Sequence, residues 1–157
     1  MIKENKEIKG MKEGMVDVGK KKAARRVAIA SAQIKMTKKA FAILLKGGSP
    51  KGDVFETAKV AGIMAAKATP ALIPMCHPLS LDKVSLSLNA DAKTYSVFVK
   101  AEVVCHGKTG VEMESLVAAS TAALTIYDMM KWADQGMVIS NVQLLYKQGG
   151  RSGIYQR

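Results

Sequence analysis

Hydrophobic and polar residues alternate most cleanly over residues 83–90, where Val84, Leu86 and Leu88 share one face and Ser85, Ser87 and Asn89 the other. Period two predicts a half-buried strand. Asp91-Ala92-Lys93 supplies a turn, and alternation resumes over 95–106, which is a hairpin pattern. Residues 25–36 also alternate, Arg26, Ala28, Ala30, Ala32 and Ile34 against Val27, Ile29, Ser31, Gln33 and Lys35, although both faces are rather apolar. Met15-Val16-Asp17-Val18 reads as extended. Residues 137–147 read as a last strand, followed by Gly149-Gly150-Arg151-Ser152-Gly153.

A helical period governs the rest. Leu116, Ala119, Ala123, Tyr127 and Met130 recur at steps of three and four, which predicts one helix over 110–133. Thr109 and Glu112 have the spacing of a capping box at its start. Thr37 can cap a short helix running to Lys46, stopped by Gly47-Gly48. Asp53-Val54-Phe55-Glu56 opens another helix, expected to reach Lys67 and to close at Thr69-Pro70. Pro74-Met75-Cys76-His77-Pro78-Leu79 is a proline-bracketed, irregular turn. The order β-α-α-β-β-α-β predicts an α+β, ferredoxin-like fold: an antiparallel sheet of about four strands with helices on one face.

Composition narrows the class. The chain has 157 residues, 48% hydrophobic and 24% charged, which suits one domain over 15–157 with a core of its own. Residues 1–14 are polar, alternate Lys3, Lys6, Lys9 and Lys12 with Glu4, Glu7 and Glu13, and read as a solvated, disordered tail. No apolar run matches a membrane span or a signal peptide, so a cytoplasmic location is expected. The net charge of +11 is unusual and implies an anionic partner.

Several groups could carry chemistry. Asp128 and Lys131 are three apart and so neighbours on one helical face. Such pairs are commonly plain surface ion pairs, but this one ends a helix rich in small, close-packing residues. Glu114 lies close to four whole turns earlier and points roughly the same way. Cys76-His77 and Cys105-His106 suggest a metal, yet adjacent residues on a strand face opposite ways, and structural zinc wants ligands two to four residues apart. No metal site is expected. Cys105 reads as core, and His77 as the better ligand contact. Gly107-Lys108-Thr109-Gly110 resembles a phosphate loop only in part. Lys20, Lys21, Lys22, Arg25, Arg26, Lys51, Lys131, Lys147 and Arg151 fall at strand ends and turns, and converging they would make a triphosphate pocket.

Met15-Val16-Asp17-Val18, Lys51-Gly52-Asp53-Val54-Phe55, Leu72-Ile73-Pro74-Met75-Cys76-His77-Pro78-Leu79, the stretches 108–116 and 124–131, and Gly149-Gly150-Arg151-Ser152-Gly153 together closely resemble the MoaC family of molybdenum cofactor biosynthesis. The resemblance runs in order over nearly the whole chain. It departs at Met75, where leucine is usual, and at Arg151, where lysine is usual.

That resemblance implies a lyase, a cyclic pyranopterin monophosphate synthase. Its substrate is 3′,8-cyclo-7,8-dihydro-GTP, and it releases pyrophosphate. It implies a homohexamer, a trimer of dimers with sites between subunits, and no required cofactor, with magnesium able to accompany the triphosphate. It places Asp128 and Lys131 as the catalytic pair. Met75, Cys76, His77, Met113, Glu114, Lys51, Arg26 and Lys147 are its substrate-binding positions. For Asp128 and Lys131 to trade protons, burial would have to bring their pKa values toward neutrality.

The rival class is a basic ferredoxin-like nucleic-acid-binding module. It accounts for fold and charge, but not for Glu112, Glu114 and Asp128 on the central helix. It also wants base-stacking aromatics, which make up only 5% of this chain.

Overall fold

β1 (Ala24–Lys35) runs down the middle of the sheet and carries the rule on which the fold is built. Ala28, Ala30, Ala32 and Ile34 are at most 1% exposed, all on one face of the strand. Small side chains there let a helix come close. That helix is α3 (Glu112–Met130), whose Ala118, Ala119, Ala122 and Ala123 are fully buried and leave Ile126 to fill the remaining space. Full burial of one isoleucine stabilises by about 1.5–3 kcal/mol, so the many small residues serve close approach and the few large ones supply more of the apolar burial.

The computed structural model describes residues 14–157; the tail expected over 1–14 lies, Gly14 apart, outside the described residues. The remaining elements are α1 (Lys38–Leu45), α2 (Val54–Leu72), β2 (Leu81–Asp91), β3 (Ser96–Gly107), β4 (Val138–Gln148) and a short β5 (Tyr155–Gln156). The sheet is antiparallel throughout, in the order β2-β3-β1-β4-β5. The α+β, ferredoxin-like expectation holds, with β5 added at the β4 edge. Val84, Leu86 and Leu88 pack on the core, as their alternation requires.

Two predicted helix starts are capped as read. Thr37 accepts a hydrogen bond from the Ala40 amide at 3.3 Å, and Asp53 accepts one from the Glu56 amide at 3.0 Å. The third is not. Helix α3 begins after Val111 with no side-chain cap, two residues later than a Thr109 cap would start it, and the Glu112 carboxylate, folded back over Gly110, pairs with Lys147. It ends at Met130, and the chain turns at once through Lys131. Helix α2 runs past Lys67 to Leu72 with Pro70 inside its last turns. Proline's fixed φ is itself helical, and here its missing N–H forgoes one intrahelical bond, to the Ala66 carbonyl. Met15-Val16-Asp17-Val18 pairs with no strand; it is a loop held by side chains from elsewhere.

Candidate active site

Helix α3 carries charged groups at both ends and none between. At its C-terminal end the Asp128 carboxylate is clasped by two ammonium groups, Lys51 Nζ at 2.7 Å from Oδ2 and Lys131 Nζ at 2.8 Å from Oδ1. Lys131 comes from the turn that leaves the helix. Lys51 comes from the loop between α1 and α2, and Ser49 ties that loop down by donating to the Met129 carbonyl at 3.1 Å. All three side chains are about half exposed. The hydrogen bond from Lys131, then that from Lys51, hold the Asp128 pKa down at about 2, and the same carboxylate raises that of Lys131. In this chain the two values move apart. The burial that would bring them together is missing, because among the described residues nothing covers the cluster.

At the other end of α3 a cleft of about 600 Å³ opens between the N-terminal loop, the start of β1, the loop before α3 and the end of β4. Its walls carry Lys20, Lys21, Lys22, Arg26, Lys108, Lys147 and Arg151, with Glu112 as the carboxylate among them. Glu112 Oε1 is 3.2 Å from Lys147 Nζ, which also donates to Ser152 Oγ at 2.7 Å. Gly110 makes this possible: a side chain there would overlap the Glu112 carboxylate. Arg26 lies at the bottom, 8% exposed, donating from Nε to the Gly107 carbonyl at 3.1 Å and from Nη2 to the Lys108 carbonyl at 3.2 Å. Gly149 and Gly150 cross directly over it at φ of +112° and +75°, where only glycine fits both conformation and space.

Beside the cleft, Glu114 is 3% exposed. Burial raises its pKa, and the neighbouring Glu112 carboxylate adds to the effect. Burial, then the Glu114 charge, raise both the Cys76 and the Cys105 thiols, so the Cys76-His77 turn lies next to the start of α3. His77 Nε2 is 2.7 Å from the Val16 carbonyl. Met75 is 61% exposed, and Met113 is half-buried.

The structure therefore divides the residues singled out in sequence. Arg26 and Lys147 share the cleft with Lys20, Lys21, Lys22 and Arg151, and Met113, Glu114, Cys76 and His77 lie alongside it. Lys51, Asp128 and Lys131 stand at the far end of α3. Sixteen residues separate Glu112 from Asp128, roughly 24 Å along a helix axis. Sequence reasoning passed over Lys108 as a cleft residue and missed the Glu112–Lys147 pair, since partners 35 residues apart leave no spacing signal. Cys105 is fully buried while His106 is exposed, as strand alternation demands. Among the described residues no three His, Cys, Asp or Glu side chains are grouped to hold a metal ion.

Seven cations converge in the concave cleft, whereas the open face of the sheet carries Ser31, Ser85 and Ser87 with Phe98, Lys100 and a Lys83 paired with Glu102 at 3.0 Å. This suits an enzyme acting on a small, phosphate-bearing molecule better than a reader of stacked bases. The sequence profile of the MoaC family matches residues 15–150, and the chain belongs to that family. It is 49% identical over 143 residues to a cyclic pyranopterin monophosphate synthase of Pelotomaculum thermopropionicum, covering 91% of this chain and 84% of that one. A protein of the same name from Cereibacter sphaeroides is 49% identical over 142 residues, covering 90% of this chain and 89% of its own. Among the described residues no helix is long and apolar enough to cross a membrane.

Proposed function

We infer that this chain is a cyclic pyranopterin monophosphate synthase, a lyase of molybdenum cofactor biosynthesis that converts 3′,8-cyclo-7,8-dihydro-GTP and releases pyrophosphate. The observation that carries the reading furthest is the cleft. Among the described residues its seven cations and single carboxylate provide the charge a triphosphate needs. When a hydroxyl oxygen attacks the α-phosphorus, the bond to the bridging oxygen breaks and pyrophosphate departs with added negative charge, which preorganised ammonium and guanidinium groups stabilise. The hydroxyl proton goes to a base. Magnesium can accompany the triphosphate as part of the substrate.

Asp128, Lys51 and Lys131 would move protons while the pterin ring system is rebuilt. The buried Glu114 carboxylate and the polar atoms of the Met75-Cys76-His77 turn would read the guanine edge, which offers donors and acceptors together.

One substrate molecule cannot touch both ends of α3 in a single chain, and a second copy resolves this. The outer face of α2 and α3 exposes Val60, Met64 and Leu124, each more than half. Two α3 helices packed antiparallel about a two-fold axis near Ser120 would set the second copy's Asp128 opposite Glu112, since the two positions lie eight residues either side. Covering Asp128 in this way also supplies the burial its pKa requires. This arrangement fits the homohexamer, a trimer of dimers, that the family resemblance implies.

The test is direct. Purified protein is given 3′,8-cyclo-7,8-dihydro-GTP, and pyranopterin monophosphate and pyrophosphate are followed beside an Asp128→Ala protein. Turnover by the unaltered chain alone supports the reading, and substrate left unchanged by both, with no binding, overturns it. Light scattering in solution checks the assembly: a stable, active monomer would exclude the shared site.

A further inference from the structure

We propose that Arg26 and Lys108 are positioning residues that hold a turn of three lysines over the cleft before the polyphosphate arrives. The inference rests on the reading of the cleft as a polyphosphate site.

The turn carries Lys20, Lys21 and Lys22, three adjacent like charges that repel one another and sit exposed in a loop without strand partners. It needs to be held, and the structure shows by what. Within the turn the Gly19 amide donates to Asp17 Oδ1 at 2.8 Å, and the Lys21 amide to the Val18 carbonyl at 3.0 Å. From outside, Lys108 Nζ donates to the Gly19 carbonyl at 3.0 Å, immediately before the first of the three lysines. Lys108 is in turn fixed at its own backbone, because the buried Arg26 guanidinium bridges the Gly107 and Lys108 carbonyls. A continuous set of contacts thus runs from the floor of the cleft to the lysines at its mouth. Fixing flexible cations in advance removes an ordering cost from binding, which is how preorganisation raises affinity.

A bland alternative gives Lys108 a phosphate of its own. The two roles part company when substitutions are combined, because residues acting through one another do not add. The probe is inorganic tripolyphosphate, titrated calorimetrically into the full chain at low salt. Lys108→Met and the triple variant Lys20→Gln, Lys21→Gln, Lys22→Gln are each expected to weaken binding about tenfold. The chain carrying both changes should bind no worse than the triple variant. Lys108→Arg, which keeps a donor for the Gly19 carbonyl, should recover most of the affinity. Arg26→Lys, which replaces the two donor nitrogens of a rigid fork by a single ammonium, should reproduce Lys108→Met while circular dichroism reports an intact fold. Additive losses in the combined variant would overturn the positioning role and make Lys108 a direct phosphate ligand. Absence of any tripolyphosphate binding by the unaltered chain would instead remove the cleft reading beneath it.

Discussion

The Lys147 ammonium lies 3.2 Å from Glu112 Oε1, so a carboxylate lining the cleft restrains one of its cations. Both side chains are roughly a quarter exposed, and a pair in that setting is worth about 0.2–1 kcal/mol. Replacing Glu112 by Gln leaves Lys147 free for an anion and removes an opposing charge. Pyrophosphate is expected to bind Glu112→Gln about two- to fivefold more tightly at low salt, with the difference fading as salt is raised. Isothermal titration at two ionic strengths measures both.

Asp128 gives a prediction in pH. Its pKa is lowered from an ordinary 3.8 to about 2 by Lys131 and Lys51. A depressed carboxylate contributes stability that is fully present above its unfolded pKa and is lost as pH falls through the folded one, here between about 4 and 2. The Asp128 carboxyl resonance should titrate in that window in the isolated chain, and Lys51→Met should move its midpoint upward. Asp128→Asn keeps the shape and removes the base, and turnover is expected to fall about 10²–10⁴-fold.

Glu114 behaves in the opposite sense. Burial raises its pKa, so ionising it at neutral pH costs folding free energy. Glu114→Gln should therefore melt a few degrees higher at pH 7. The gain should vanish below pH 4, where the carboxyl is protonated folded and unfolded alike. Thermal melts across that range check the sign. Substrate affinity should fall in the same variant, since the glutamine no longer offers the guanine edge a carboxylate.

Gly62 tests how tightly α2 and α3 meet. A helix-interior glycine replaced by alanine ordinarily gains about 1 kcal/mol of propensity. At this position the added carbon would overlap a Leu86 methyl and sit 3.0 Å from the Ala118 carbonyl oxygen. Overpacking costs about 1–3 kcal/mol, and the neighbour on α3 is backbone that cannot swing aside. Gly62→Ala is expected to be destabilised on balance, read as a lower urea midpoint.

What could be read from sequence was local. The strand alternation around Leu86, the caps at Thr37 and Asp53, and the Asp128–Lys131 neighbourhood all follow from spacings of two to four residues. What failed or went unseen depended on distant partners. Thr109 and Glu112 have capping-box spacing, but α3 starts two residues later, at Glu112, whose carboxylate pairs with Lys147. His77 meets Val16 across 61 residues, Lys108 meets Gly19 across 89, and Lys51 meets Asp128 across 77. Lys51 entered the expected site as one of the basic residues at turns, and through its family motif, but its pairing with Asp128 left no periodic signal. The separation of the two polar ends of α3 was implicit in the helix length, yet it becomes informative only once the cleft is seen at one end.

That separation has a genetic counterpart. If each catalytic centre draws its cleft from one copy and its Asp128 from another, two inactive proteins broken at opposite ends of α3 can repair each other. Asp128→Ala and a cleft variant such as Lys147→Ala, unfolded together and reassembled in equal amounts, would form mixed pairs in which one centre inherits both lesions and the other none. About one quarter of the centres would then be whole, because half the pairs are mixed and each mixed pair has one intact centre. The helix would thus let two dead alleles complement within a single gene product.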